Sequence, residues 1–90
     1  MNAPQFTISP RVRVQIFEQE TLLLDLESGQ YLRLNQTGQD VWRLLEQGMS
    51  VPEIHQALIH AYDVHATLLD QDIKILIDDL VARRLIVPVV

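Results

Sequence analysis

From Arg11 the chain alternates. Val12, Val14 and Ile16 fall on one side and Arg11, Arg13 and Gln15 on the other, the period of two of a half-buried strand. Glu18-Gln19-Glu20 is a polar connection. Thr21–Asp25 is richer in leucine and alternates less, as expected of a central strand. Glu27-Ser28-Gly29 reads as a hairpin turn, because glycine takes positive φ without a Cβ penalty. Gln30–Leu34 alternates again, with Leu32 and Leu34 on one face and Tyr31 and Arg33 on the other. Three strands with short links make an antiparallel meander, and its third strand is an edge unless something covers it.

At Asn35 the period changes. Val41, Leu44 and Leu45, with Trp42 beside them, are spaced as one helix face, which predicts a first helix over 36–47. Asn35 can cap it, and Gly48 can end it in a left-handed conformation. Gly38 in its first turn is poor on propensity grounds, which suggests close backbone approach. Ser50-Val51-Pro52-Glu53 has the form of a capping box, with Met49 and Ile54 at the positions of a hydrophobic staple. Ile54, Ala57, Leu58 and Ala61 follow as the apolar face of a second helix. After a short link over 63–66, Leu69, Ile73, Leu76, Ile77 and Leu80 stripe a third helix reaching about Arg84. Thr67 is its candidate cap. Asp70 and Asp72 near its start and Arg83 and Arg84 at its end suit the helix dipole.

The two ends carry weaker signals. Residues 1–10, with Pro4 and Pro10, read as a flexible arm that Phe6 and Ile8 can pin to the body. Leu85–Val90 is an apolar tail that can pack on the sheet or extend as a strand. The order of three strands then three helices gives one α+β domain over 11–90, with the helices on one face of a small sheet. The short turn between the last two helices is like a helix-turn-helix and the hairpin is placed like a wing, a winged-helix-like arrangement.

Composition narrows the chemistry. Ninety residues suit one small domain with a modest core. With no cysteine, disulfides, thiolate metal sites and thiol nucleophiles are excluded together. Nothing resembles a signal peptide or an apolar membrane span, so the expected location is the cytoplasm. His55 and His60 are five apart on one helix and do not stack as metal ligands, and His65 lies in a loop. Asp78 and Asp79 are neighbours pointing roughly 100° apart on a helix, not a catalytic pair. Ser28 and Ser50 have a turn and a cap to make. No enzyme, metal or cofactor is expected. A net charge of -5 disfavours nucleic acid. A winged-helix transcriptional regulator is the alternative reading, but its reading helix would carry Asp70, Asp72, Asp78 and Asp79.

What remains is the edge strand. Leu32 and Leu34 should face the helices, with Leu69, Ile73, Leu76 or Ile77 opposite. A groove between strand and helix can hold an extended peptide: main-chain hydrogen bonds give affinity and side-chain pockets give specificity. The acidic start of the third helix can pair with a basic residue on that peptide. On pattern alone the same apolar residues fit a plain core better, with the edge guarded by Arg33 or by the tail. A third possibility is a homodimer in which an exposed edge pairs with its own copy.

The stretch D-L-E-S-G-Q-Y-L-R-L-N-Q-T-G-Q-D-V-W, Asp25–Trp42, resembles the PqqD family. That family includes coenzyme PQQ synthesis protein D and related peptide-recognition domains of ribosomal peptide pathways. The resemblance runs on through Ser50–Ile54 and Asp72–Leu85, so it spans nearly the whole chain. The turn here is Glu27-Ser28-Gly29 where PQQ-pathway members tend to carry Pro-Glu-Gly, a form more like the broader stand-alone family. The resemblance implies a non-catalytic, winged-helix-like domain that binds the leader of a precursor peptide. The leader adds to the third strand and packs on the third helix. The domain then presents the peptide to a modifying enzyme, a radical SAM protein in the PQQ pathway or a leader peptidase in lasso-type pathways. Carried onto this chain, the contacts are Tyr31, Leu32, Arg33 and Leu34 on the strand, and Leu69, Asp72, Ile73, Leu76 and Ile77 on the helix.

Overall fold

The computed structural model describes residues 5–18, 20–62 and 65–89. The meander is present. Strand β2 (Val12–Phe17) pairs antiparallel with β3 (Glu20–Asp25), and β3 pairs antiparallel with β4 (Tyr31–Leu34). The register sets Val14 opposite Leu23 and Leu23 opposite Leu32. Paired residues share a face, so Leu23, Leu32, Thr21 and Leu34 look toward the helices, and Leu22, Leu24, Tyr31 and Arg33 look away. Leu23 is fully buried at the centre of that inner face.

The hairpin between β3 and β4 is held by one carboxylate. Gly29 takes φ 76° and closes the turn, its N–H donating to the Asp25 carbonyl at 2.7 Å. The buried Asp25 side chain accepts from Arg11 Nη2 (2.9 Å), Glu27 N–H (3.0 Å) and the Ser28 hydroxyl (2.9 Å). Burial pushes the Asp25 pKa up, but the Arg11, Glu27 and Ser28 hydrogen bonds and the Arg11 charge outweigh it and hold the carboxyl at about 2. An unfolded aspartate titrates at about 3.9. The folded value is the lower one, so this contribution to stability is complete above that pH and is lost as pH falls toward about 2. Thermal melts between pH 5 and 2 should show a fall in midpoint that is shallower in Asp25→Asn. Identical slopes in the two proteins would rule Asp25 out as the titrating group.

Asn35 ends β4 and caps helix α1 (Gln36–Glu46) with no intervening loop. Its side chain accepts from Gly38 N–H at 2.8 Å, a cap worth about 1 kcal/mol. Gly38 is where strand and helix touch: a Cβ there would lie 3.3 Å from Leu34 Cβ and Cδ2 and from Asn35 Oδ1. The orientation of α1 is thereby fixed to the edge strand. Gly48, at φ 83°, and Met49 close α1 with N–H bonds back to Leu45 and Leu44. Helix α2 (Val51–Ala61) begins with the reciprocal Ser50–Glu53 box, and the staple residues Met49 and Ile54 are half-buried and fully buried. The Tyr62 hydroxyl donates to Asp40 and ties the end of α2 to α1.

Helix α3 (Ala66–Ala82) starts one residue before its expected cap. His65 is the N-cap residue, without a side-chain cap bond, and Thr67 lies inside the first turn. Asp70 and Asp72 fall beyond that turn, so the expected match of acids to the helix start is not made. Of the link expected over 63–66, Ala66 is already helical and His65 is the N-cap, and residues 63 and 64 lie outside the described residues. At the other end Arg84 N–H bonds to the Val81 carbonyl and Leu85 N–H to the Leu80 carbonyl, both 3.0 Å. This closing motif normally carries glycine at the left-handed position, and here Arg84 takes it at φ 60°. Arg84→Gly is expected to stabilise the domain by about 1 kcal/mol, through relief of that conformation. An unchanged urea midpoint would show that Arg84 earns its place by some other contact.

The ends of the chain meet each other. Strand β1 (Phe6–Ile8) pairs antiparallel with β5 (Ile86–Pro88), in register Phe6 with Pro88 and Ile8 with Ile86. The expected arm over 1–10 therefore includes a strand; Met1–Pro4 lie outside the described residues. The tail takes the extended option and uses its backbone on β1 rather than on the meander. Ile86 and Leu85 are buried with Val41, Trp42, Leu45, Ile54, Leu58, Leu69, Ile73, Ile77 and Leu80 in one core between sheet and helices.

Candidate functional site

The order of the larger sheet is β2-β3-β4, so β4 is an edge. Neither β1 nor β5 covers it. Arg33 does not guard it either: its guanidinium reaches Glu20 on β3, inward across the sheet, at 3.8 Å. With both side chains largely exposed, that pair contributes at most about 1 kcal/mol.

The register says which backbone groups are free. Asp25 N–H donates to the Gln30 carbonyl at 2.9 Å. Hydrogen-bonded and non-bonded pairs alternate along an antiparallel ladder. Leu32 and Leu34 therefore turn their N–H and C=O groups toward β3, opposite Leu23 and Thr21. Tyr31 and Arg33 turn theirs outward. Two donors and two acceptors stand about 7 Å apart along the edge, the spacing at which another extended chain can pair.

Beside this edge lies an open groove of about 630 Å³. Leu32, Arg33, Leu34 and Asn35 form its strand side, Thr37 and Gly38 of α1 its end, and Asp72, Ile75, Leu76 and Asp79 of α3 its far wall. The floor is apolar. Ile75 is 68 % exposed, a bare branched aliphatic side chain on the groove wall, and Leu68, two turns earlier on the same helix, is exposed as well. A smaller recess lined by Arg11, Asp25, Ser28, Gln30, Tyr31, Leu32, Arg83 and Leu85 continues from the Leu32 end. The C-terminal end of α3 thus lies near the start of β4, and the two run antiparallel.

The sequence-derived contacts divide. Tyr31, Leu32, Arg33 and Leu34 form the edge, and Asp72 and Leu76 line the groove. Leu69, Ile73 and Ile77 are buried in the core behind the α3 wall and do not line the groove. Ile75, Asp79, Thr37 and Gly38 also line the groove, beyond the residues expected from the sequence. The missed signal was helical: Asp72, Ile75, Leu76 and Asp79 recur at i, i+3, i+4 and i+7 and so share one face, turned from the core stripe of 69, 73, 77 and 80.

No other chemistry gathers. Among the described residues no three His, Cys, Asp or Glu side chains come together as a metal site. His60 and His65 are exposed, and His55 lies with Nε2 3.4 Å from the Ala66 carbonyl. The exposed side of α3 presents Asp70, Asp72 and Asp78, a surface that repels phosphate. Among the described residues no helix is long and apolar enough to cross a membrane.

Among curated proteins none matches the chain. Two solved structures are similar. TbiB1 in complex with the TbiA(beta) leader peptide is 30% identical, covers 88% of this chain and 92% of its own, and superposes with a TM-score of 0.79. Lasso peptide synthetase B1 complexed with the leader peptide is 30% identical, with coverage of 92% and 98% and a TM-score of 0.82. The family model of coenzyme PQQ synthesis protein D (PqqD) matches residues 20–86. With an edge strand, a capped helix joined directly to it and an α3 wall all inside that match, the chain belongs to the PqqD family.

Proposed function

We propose that this protein is a non-catalytic adaptor that binds the leader of a ribosomally made precursor peptide. The leader adds as a strand to β4 and drops alternate side chains into the groove beside α3. The domain then hands the precursor to a modifying enzyme. The observation that carries this reading is the β4 edge, unpaired among the described residues, with outward Tyr31 and Arg33 backbone groups, lying directly beside an apolar groove. The likeness to two B1 proteins bound to leader peptides supports it, and supports a lasso-type pathway with a leader peptidase over a PQQ pathway with a radical SAM protein. The location is cytoplasmic, where such precursors are made.

Fluorescence anisotropy tests the reading. A labelled leader from a short precursor frame encoded beside this chain should bind saturably. A labelled promoter fragment should bind only weakly, with the salt dependence of nonspecific contact. Tight promoter binding without leader binding would favour a regulator instead.

One observation favours a second partner. At the far edge, β2 leaves Val14 and Ile16 exposed on the helix side of the sheet, beside Trp42 of α1. Antiparallel pairing of two β2 strands in a homodimer would bury them and leave both β4 edges open. Sedimentation at rising concentration distinguishes monomer from dimer.

A further inference from the structure

The groove is apolar in the middle and acidic at both ends. Along α3 the wall reads Asp72, Ile75 and Leu76, Asp79. The two acids differ. Asp79 accepts from Arg83 Nε at 3.0 Å and is neutralised within its own helix. Asp72 is exposed, and among the described residues it has no hydrogen-bond or ion-pair partner. A single uncompensated carboxylate therefore stands on the groove wall, at the Asn35 end.

Its distance from the apolar centre fits a strand repeat. Leu76 lies four residues from Asp72, about 6 Å along the helix axis. Side chains on one face of an added strand recur every two residues, about 6.8 Å. A peptide residue seated over Leu32, Leu34, Ile75 and Leu76 thus has its neighbour two positions away beside Asp72. Antiparallel pairing continues the pattern of the sheet and is the more stable arrangement. An antiparallel peptide enters at the Leu34 end, so the residue beside Asp72 comes first.

Building on the leader-binding reading, we propose that Asp72 is a specificity residue. It selects leaders that carry a lysine or arginine two positions N-terminal to their apolar anchor. The net charge of -5 adds attraction for such a cationic segment.

Selection from a random displayed dodecapeptide library tests this without knowing the natural leader. The wild-type protein should enrich basic-x-apolar sequences, and Asp72→Lys should enrich acidic-x-apolar ones. For one selected peptide, Asp72→Asn should weaken binding about three- to tenfold at low salt and less at high salt. Asp78→Asn, on the same helix but outside the groove, should change little. The specificity proposal is overturned if selected peptides shift the Tyr31 and Arg33 amides but show no cation at that position, or if Asp72→Lys keeps the wild-type preference. If no peptide is enriched, or enriched peptides leave those amides unmoved, the leader-binding reading itself fails and the proposal falls with it.

Discussion

Ile73→Glu is expected to unfold the domain, while Ile75→Glu, two residues away, should leave it folded and unable to hold a leader. Ile73 is 1 % exposed and Ile75 is 68 % exposed. At 73 the substitution forfeits about 1.5–3 kcal/mol of apolar burial. It also forces a carboxyl into a site with no partner, at a cost of several kcal/mol more. Together these are comparable to the whole stability of a small domain, about 5–15 kcal/mol. At 75 the side chain faces the groove, and folding should change by no more than about 0.5 kcal/mol. Lost apolar contact with the peptide should cost leader affinity about tenfold or more. Far-UV circular dichroism and urea titration read the first effect, and anisotropy reads the second. A folded Ile73→Glu with impaired binding would place Ile73 in the groove and contradict the core described here.

The second large effect concerns backbone alone. Arg33→Pro should leave the sheet nearly intact and abolish most leader binding; Leu32→Pro should damage the fold. Proline lacks the N–H and is tolerated on an edge strand where that N–H faces solvent. The register turns the Arg33 N–H outward and the Leu32 N–H toward Leu23. Loss of the outward donor removes a bond worth about 1 kcal/mol, and the ring obstructs the incoming strand, so affinity should fall about tenfold or more. The melting midpoint of Arg33→Pro should drop by a few degrees, roughly what 1 kcal/mol produces in a domain of this size. In Leu32→Pro the orphaned Leu23 carbonyl costs about 1–3 kcal/mol more. Equal effects from the two prolines on stability would mean that the β4 ladder is shifted by one residue.

These contrasts also mark what the sequence makes legible. The meander, the Gly29 turn, the Asn35 and Ser50 caps and the Gly48 stop all rest on local rules: period two, φ above zero, a side chain that accepts an N–H. Each stands where the residues place it. The β1–β5 pairing does not follow from such rules. Phe6–Ile8 and Ile86–Pro88 are three residues each, too short for a period, and they pair across nearly the full chain length. The end of α3 is illegible for another reason, because Arg84 occupies a position where the motif favours glycine. The groove was half legible. Leu32, Leu34, Asp72 and Leu76 follow from alternation and helix spacing. But the strongest apolar stripe on α3, which includes Leu69, Ile73 and Ile77, belongs to the core, and spacing alone does not tell it from a groove wall. On the solvent-facing wall the aliphatic Ile75 falls outside that stripe and gives no such periodic signal.

The most direct measurement is a titration of isotope-labelled protein with its precursor leader, read by amide shifts and by cross-strand contacts between backbone protons. The Tyr31 and Arg33 amides should shift most, become protected from exchange and show contacts to an extended leader, while Leu32 and Leu34 stay paired to β3. A leader that binds with the Tyr31 and Arg33 amides unmoved, seated on another face, would contradict strand addition at β4.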